Sequence, residues 1–193
     1  GITTANEIHV PVGQPVYLKL TSADVIHSFW VPQIKEQQAM IPGRTNTIWM
    51  QADQAGVYKG ECNVYCGPEH AKMDFVVVAD PPDTFAQWLQ EQQQTPPMPA
   101  DQQLRDGQQV FLGSACVYCH TVAGTNATGT IGPDLTHFAS RQTIGAGILD
   151  NNRGNLAGWI INAQTIKPGN QMPPMDLSGS ELQAVLDYLE SLK

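Results

Sequence analysis

Cys62-Asn63-Val64-Tyr65-Cys66-Gly67-Pro68-Glu69-His70-Ala71-Lys72-Met73 gathers two thiols, an imidazole and a thioether into one short stretch. It lies between two β-like runs, Gly56-Val57-Tyr58-Lys59-Gly60 before it and Asp74-Phe75-Val76-Val77-Val78 after it. Further out, Ile8-His9-Val10, Val16-Tyr17-Leu18-Lys19-Leu20 and Thr47-Ile48-Trp49-Met50 are separated by turn signals at Pro11, Gly13-Gln14-Pro15 and Pro42-Gly43. Short strands at this spacing predict an all-β domain over residues 1–80, a small sandwich or Greek-key barrel with the Cys-His-Met stretch as one of its loops.

The texture changes at Pro81. Phe85, Trp88 and Leu89 fall at helical spacing with Asp83 as a candidate cap, so a short amphipathic helix is expected there. The Gln-rich run from Gln90 then enters Thr95-Pro96-Pro97-Met98-Pro99, a stiff spacer too poor in apolar residues to build a core. Residues 81–100 are therefore read as a short helix and linker. From residue 101 to 193 the pattern is helical. Leu104, Val110 and Phe111 mark a first helix ending near Gly113, and Leu156, Trp159 and Ile160 mark a middle one. Ser178-Gly179-Ser180-Glu181 reads as a capping box, followed by the stripe Leu182, Val185, Leu186, Leu189 and Leu192.

The chain of 193 residues carries 10 basic against 18 acidic side chains, a net charge of -8, which opposes sequence-independent binding of nucleic acid and favours a basic partner. Its longest apolar run, Phe75 to Ala79, is far short of the roughly 20 residues that cross a bilayer. Nothing at Gly1 reads as a signal peptide, so the chain as given is expected to be soluble.

The four cysteines fall in two close pairs, each with a histidine, which suits ligand or attachment clusters better than structural disulfides. In the first cluster soft donors select copper, zinc or iron–sulfur, and His27, at the end of the run Asp24-Val25-Ile26-His27-Ser28-Phe29-Trp30, can supply a second imidazole. Two Cys and two His would also satisfy tetrahedral zinc. Met73 tilts the choice, since a thioether is a poor zinc ligand but a recognised weak axial ligand of copper–thiolate sites. His9 is expected to be an ordinary surface residue, and Met40 and Met50 to be packing residues.

Cys62 to Met73 fills every position of C-x-x-x-C-x-x-x-H-x-x-M and so resembles the binuclear copper-A loop of cytochrome c oxidase subunit II; Asp24 to Pro32 and Ile41-Pro42-Gly43-Arg44 are similar to that family's cupredoxin domain. The resemblance implies that Cys62 and Cys66 bridge two coppers, that His27 and His70 each bind one metal, and that Met73 and the Val64 carbonyl are weak ligands. Two sulfurs shared by two coppers let one electron delocalise, which keeps reorganisation on transfer small. The family commonly has Glu at the position of Val64, where its carboxylate reaches a magnesium ion, so no magnesium is assigned here. Relative to that family the chain starts late, without the membrane hairpin and aromatic-rich segment that precede the first strands, so the expectation is a trimmed chain or an unusual soluble relative.

Cys116-Val117-Tyr118-Cys119-His120 is C-x-x-C-H, the c-type haem attachment pattern, with both thiols as thioether sites and His120 as proximal ligand. Gln171-Met172-Pro173-Pro174-Met175 offers a sixth ligand on an extended loop; Met172 is the expected one and Met175 the alternative. His137 would make that loop redundant and is read as a bystander. Residues 101–193 resemble a class I cytochrome c domain. By that resemblance the Pro133 carbonyl accepts the His120 Nδ1 proton, Trp159 lies against the haem edge, and Gly107 and Phe111 meet Tyr188.

A copper-A cupredoxin domain joined to a C-terminal cytochrome c resembles subunit II of caa-type oxidases. That implies an electron-transfer subunit of an oxygen-reducing, proton-translocating complex on the periplasmic side of a bacterial inner membrane. Electrons would pass from a donor such as a cytochrome c to the haem, then to copper-A and on to catalytic subunit I, with membrane association through that complex and an N-terminal anchor absent here. The chain itself would have no oxygen-reducing site. A fragment of nitrous oxide reductase would need a His-rich copper cluster, for which no histidines are left over. A copper-handling module with an appended cytochrome is the other alternative, and spin resonance separates a shared-electron copper pair from a single or silent copper.

Overall fold

The computed structural model describes residues 1–193, which fold into two compact units: Asn6–Glu91 with Ala146–Ile148, and residues 92–145 and 149–193 with Gly1–Ala5. The N-terminal unit is β-rich, with β1 (Glu7–Pro11), β2 (Val16–Leu20), β3 (His27–Val31), β4 (Lys35–Met40), β5 (Asn46–Met50), β6 (Gly56–Gly60) and β7 (Phe75–Asp80). In β2 and β5 the outward residues Tyr17, Lys19, Thr47 and Trp49 alternate with the buried Leu20, Ile48 and Met50, as a strand with one wet face requires. The run Val77-Val78-Ala79 in β7 is buried without alternation because that strand is central, parallel to β1 on one side and antiparallel to β6 on the other.

Strands β2–β5 and β3–β4 form separate antiparallel ladders, and a single bridge joins Trp30 to Glu61. Val10, Val31, Met50 and Val77 are fully buried at the centre, each contributing about 1.5–3 kcal/mol through burial. Gly60 closes β6 opposite Phe75, where any Cβ would overlap the Phe75 ring; that close approach delivers the chain to Glu61 and Cys62.

A helix α1 (Pro82–Gln92) follows β7 and belongs to this unit. Asp83 lies inside its first turn, not at the cap expected for it, because Pro82 already opens the helix. His9 also departs from expectation. Its ring is stacked on Trp88 at 4.0 Å between centroids and paired with Asp80 at 2.7 Å, so it is largely buried under α1.

The C-terminal unit is helical, with α2 (Gln102–Gly113), α3 (Cys116–Cys119), α4 (Arg153–Ile166) and α5 (Gly179–Ser191), plus a two-residue ladder β8 (Thr143–Ile144) with β9 (Leu149–Asp150). Asp101 caps α2 by accepting from the Leu104 N–H at 2.8 Å, Asn152 caps α4 through Asn155, and Ser178 with Glu181 forms the full capping box on α5. Gly107 allows α2 to touch α5, since a Cβ there would overlap the Ala184 carbonyl. Phe111 packs on Tyr188 at 5.7 Å between ring centroids, in a core that includes Leu156, Ile160, Val185 and Leu186. No helix is long and apolar enough to cross a membrane.

Candidate metal and haem sites

The first site is built by two segments far apart in sequence. Strand β3 begins at His27, and the chain leaving β6 supplies Cys62 and Cys66. Donor atoms of His27, Cys62 and Cys66 lie within 4.8 Å of one another. Both thiols are free, with sulfurs 3.9 Å apart, far beyond the roughly 2.05 Å of a disulfide. Gly67, at a φ of +137° that favours glycine, turns the loop toward a short 3-10 turn, His70–Lys72. His70 Nδ1 then lies 3.6 Å from Cys66 Sγ and Met73 Sδ 3.1 Å from it, while the Val64 carbonyl is 3.2 Å from Cys62 Sγ. Every first-cluster residue singled out in the sequence, His27, Cys62, Val64, Cys66, His70 and Met73, is thus drawn into one cluster.

Asp24 is a member that the sequence pattern did not announce, although an i, i+3 carboxylate before a candidate ligand histidine was a visible signal. Its Oδ1 is 2.8 Å from His27 Nε2, which leaves Nδ1 buried and without a hydrogen-bond partner. Burial lowers the proton affinity of His27, but Asp24 and Cys62 outweigh it, and the imidazole in turn holds the Asp24 carboxyl down at about 2. Burial resists ionisation of both thiols. Hydrogen bonds from the backbone at Ser28 and Val64 and from the two imidazoles reverse this for Cys62, whereas the adjacent Cys62 sulfur reinforces it for Cys66. An orphaned buried imidazole nitrogen among soft sulfur donors suits a thiophilic metal such as copper.

In the second site, α3 sets Cys116 and Cys119 one turn apart and the Cys116 carbonyl accepts the His120 N–H at 2.9 Å. His120 Nδ1 lies 2.8 Å from the Pro133 carbonyl, so Nδ1 carries the proton and Nε2 keeps its lone pair for a ligand. Burial lowers the proton affinity of this ring, Pro133 opposes that, and the Arg141 charge adds to it. Burial also pushes the Cys116 thiol up. Gly132 donates to the Cys119 carbonyl at 2.7 Å and lies flat against the imidazole; a Cβ on it would sit 2.5 Å from His120 Cε1.

Met172 and Met175 are both half-buried against the helical core. Gln164 of α4, which motif reading passed over, donates to the carbonyls of Asn170 and Met172 at 2.7 and 2.9 Å and so fixes the methionine loop. Both His137 ring nitrogens are buried without a partner. A methionine loop and a C-x-x-C-H turn packed against the same helical core, with an imidazole oriented by Pro133, fit a haem iron.

A soft-donor cluster on a β-rich unit, followed by a helical unit with a C-x-x-C-H turn, gives the chain two separate sites whose residues suit a metal and a haem. Residues 2–80 match the family model described as cytochrome c oxidase subunit II, periplasmic domain, and residues 104–193 match cytochrome c. The first match suggests copper and the second haem. The chain is 40% identical to cytochrome c oxidase subunit 2 of Alkalihalophilus pseudofirmus and 35% identical to that of Bacillus sp. strain PS3, covering 100% of this chain and 56% and 57% of those proteins. It therefore spans little more than half the length of these curated relatives. Among solved structures, the periplasmic domain of cytochrome oxidase subunit II of Bradyrhizobium japonicum is 35% identical over 46% of this chain and 64% of that one, with a TM-score of 0.44. The chain thus carries a periplasmic domain of the cytochrome c oxidase subunit II family over residues 2–80, followed by a cytochrome c domain over residues 104–193.

Proposed function

We propose that this chain takes single electrons from a reduced donor such as a cytochrome c and passes them to catalytic subunit I of a haem-copper oxidase, the haem-bearing unit acting before the copper-bearing one. Residues 1–80 would be a copper-A domain on a Greek-key cupredoxin barrel, 81–100 the joining segment and 101–193 a class I cytochrome c domain. The reading places the chain on the periplasmic face of a bacterial inner membrane, held there by the oxidase complex. It gives the chain no oxygen-reducing site of its own.

When bound, a binuclear copper-A and a covalent haem c supply two one-electron centres. Everything else falls to the side chains. Cys62, Cys66, His27, His70, Met73 and the Val64 carbonyl would hold the coppers. Asp24 accepts a hydrogen bond from His27 Nε2 and so leaves Nδ1 as the nitrogen that would hold a metal. Cys116 and Cys119 would hold the porphyrin, His120 and Met172 would bind iron, and the Pro133 carbonyl fixes the imidazole. The convergence of His27, Cys62 and Cys66 within 4.8 Å carries the reading. Metal analysis with spin resonance tests it: two coppers and one iron per chain are expected, with a many-line signal from an electron shared by both coppers. Cys62→Ser should abolish that signal and leave the haem spectrum untouched. Zinc in place of copper, or iron lost to acidified acetone, would overturn the assignment.

A further inference from the structure

Ser28 follows His27 on β3 and is only 3% exposed, although the ligand pattern does not call for a hydroxyl there. Its Oγ accepts the backbone N–H of Asn63 at 2.6 Å. A serine hydroxyl has one proton to give, and its acceptor is Cys62 Sγ at 4.0 Å, the outer limit for sulfur. The neighbouring backbone explains why a side chain takes this part. Glu61 donates to the Trp30 carbonyl at 2.9 Å, which ends the ladder with β3, and one residue past Cys62 the Asn63 N–H finds the Ser28 hydroxyl instead of a strand carbonyl.

One short side chain thus stitches together the two ligand-bearing segments. It sits next to His27 on one side and holds the residue next to Cys62 on the other. We propose that Ser28 is the positioning residue of the metal centre: it fixes Cys62 relative to His27 and gives its hydroxyl proton to the Cys62 sulfur. The inference rests on Cys62 being a copper-bridging thiolate. A hydrogen bond draws electron density from a thiolate, weakens its donation to copper and favours the reduced state. Without the hydroxyl, the Asn63 N–H loses its partner beside the site and the loop is held less firmly.

The test uses the whole chain loaded with copper and haem, and compares it with Ser28→Ala and Ser28→Thr. Ser28→Ala is expected to lower the midpoint potential of the copper centre, to make the copper hyperfine pattern less symmetric, and to speed copper loss to a Cu(I) chelator several-fold. The haem potential, the internal control, stays where it was. Ser28→Thr keeps the hydroxyl and should return all three readouts toward the unaltered chain. If Ser28→Ala loses copper altogether and Ser28→Thr retains it, the positioning role also stands. Loss in both variants, or an unchanged potential and release rate in Ser28→Ala, overturns it. A chain with Ser28 intact that shows no shared-electron signal instead refutes the copper-A reading, a failure visible before either variant is made.

Discussion

His27 and His120 present opposite ring nitrogens because different acceptors hold them. Asp24 engages Nε2 of His27 and leaves Nδ1 free, whereas Pro133 engages Nδ1 of His120 and leaves Nε2 free. At His120 the glycine beside the ring matters as much as the carbonyl. In Gly132→Ala the new methyl would press on Cε1 at 2.5 Å and on Nδ1 at 2.8 Å, so the ring must rotate or the Pro133 contact must open. We expect that variant to retain covalent haem while its potential and its red-region absorption change, measured by redox titration followed optically. Met172→Ala should also keep the haem attached, but with a lowered potential and loss of the sulfur-ligand band in the red. An unchanged spectrum would move the assignment to Met175.

Helix α5 ties the C-terminal unit together, and its contacts set two expectations. Gly107→Ala puts a methyl into the Ala184 carbonyl and 2.8 Å from Tyr188 Cβ, so α2 and α5 must separate. Overpacking of this kind costs about 1–3 kcal/mol and should appear as a lower denaturation midpoint. Asp187 on α5 is held below the usual carboxylate range, first by the Gln103 amide and then by Arg153 at 2.7 Å, against the opposing effect of burial. A depressed carboxylate stabilises fully above about pH 4 and ceases to do so as the pH falls through its folded value. Asp187→Asn should therefore cost about 1 kcal/mol near neutrality, and the gap to the unaltered chain should narrow as the pH falls through the depressed folded value. Urea titrations at neutral and at acid pH measure it.

These elements also show what could be read in advance. The Ser178 capping box and the alternation of Val16 to Leu20 are local signals and translate directly into α5 and β2. The parallel pairing of residues 7–11 with 76–80 has no local signature, which is why His9 reads as a surface residue until Trp88 covers it. Asn162 departs from helical geometry inside α4, with φ of -158° and ψ of 83°, just past the Leu156, Trp159 and Ile160 that mark this helix in the sequence. Ligand spacing within Cys62 to Met73 was legible because one loop carries it. The role of Ser28 was not, because it exists only once β3 lies beside that loop, whereas Asp24 pairs with His27 at a local i, i+3 spacing.

At the scale of the molecule, two cores lie in two units: one around Val10, Val31, Met50 and Val77, the other around Phe111, Val185, Leu186 and Tyr188. Each core buries its own apolar side chains, so each unit has its own unfolding equilibrium, and a ligand bound by one unit stabilises that unit by mass action. Copper would be held entirely by residues 27–73 and haem entirely by residues 116–172, with no residue shared between the two ligand sets. Calorimetry of the loaded chain should then resolve two transitions in place of one cooperative event. Stripping copper with a chelator should move one of them to lower temperature, by several degrees or more if the metal is bound tightly, and leave the other in place. The unmoved transition should coincide with the loss of the haem band recorded on the same sample, because His120 and Met172 belong to the unit that supplies no copper ligand. A single transition that shifts as a whole on copper removal would mean that the two units unfold as one, and the separation of their cores would then not govern stability.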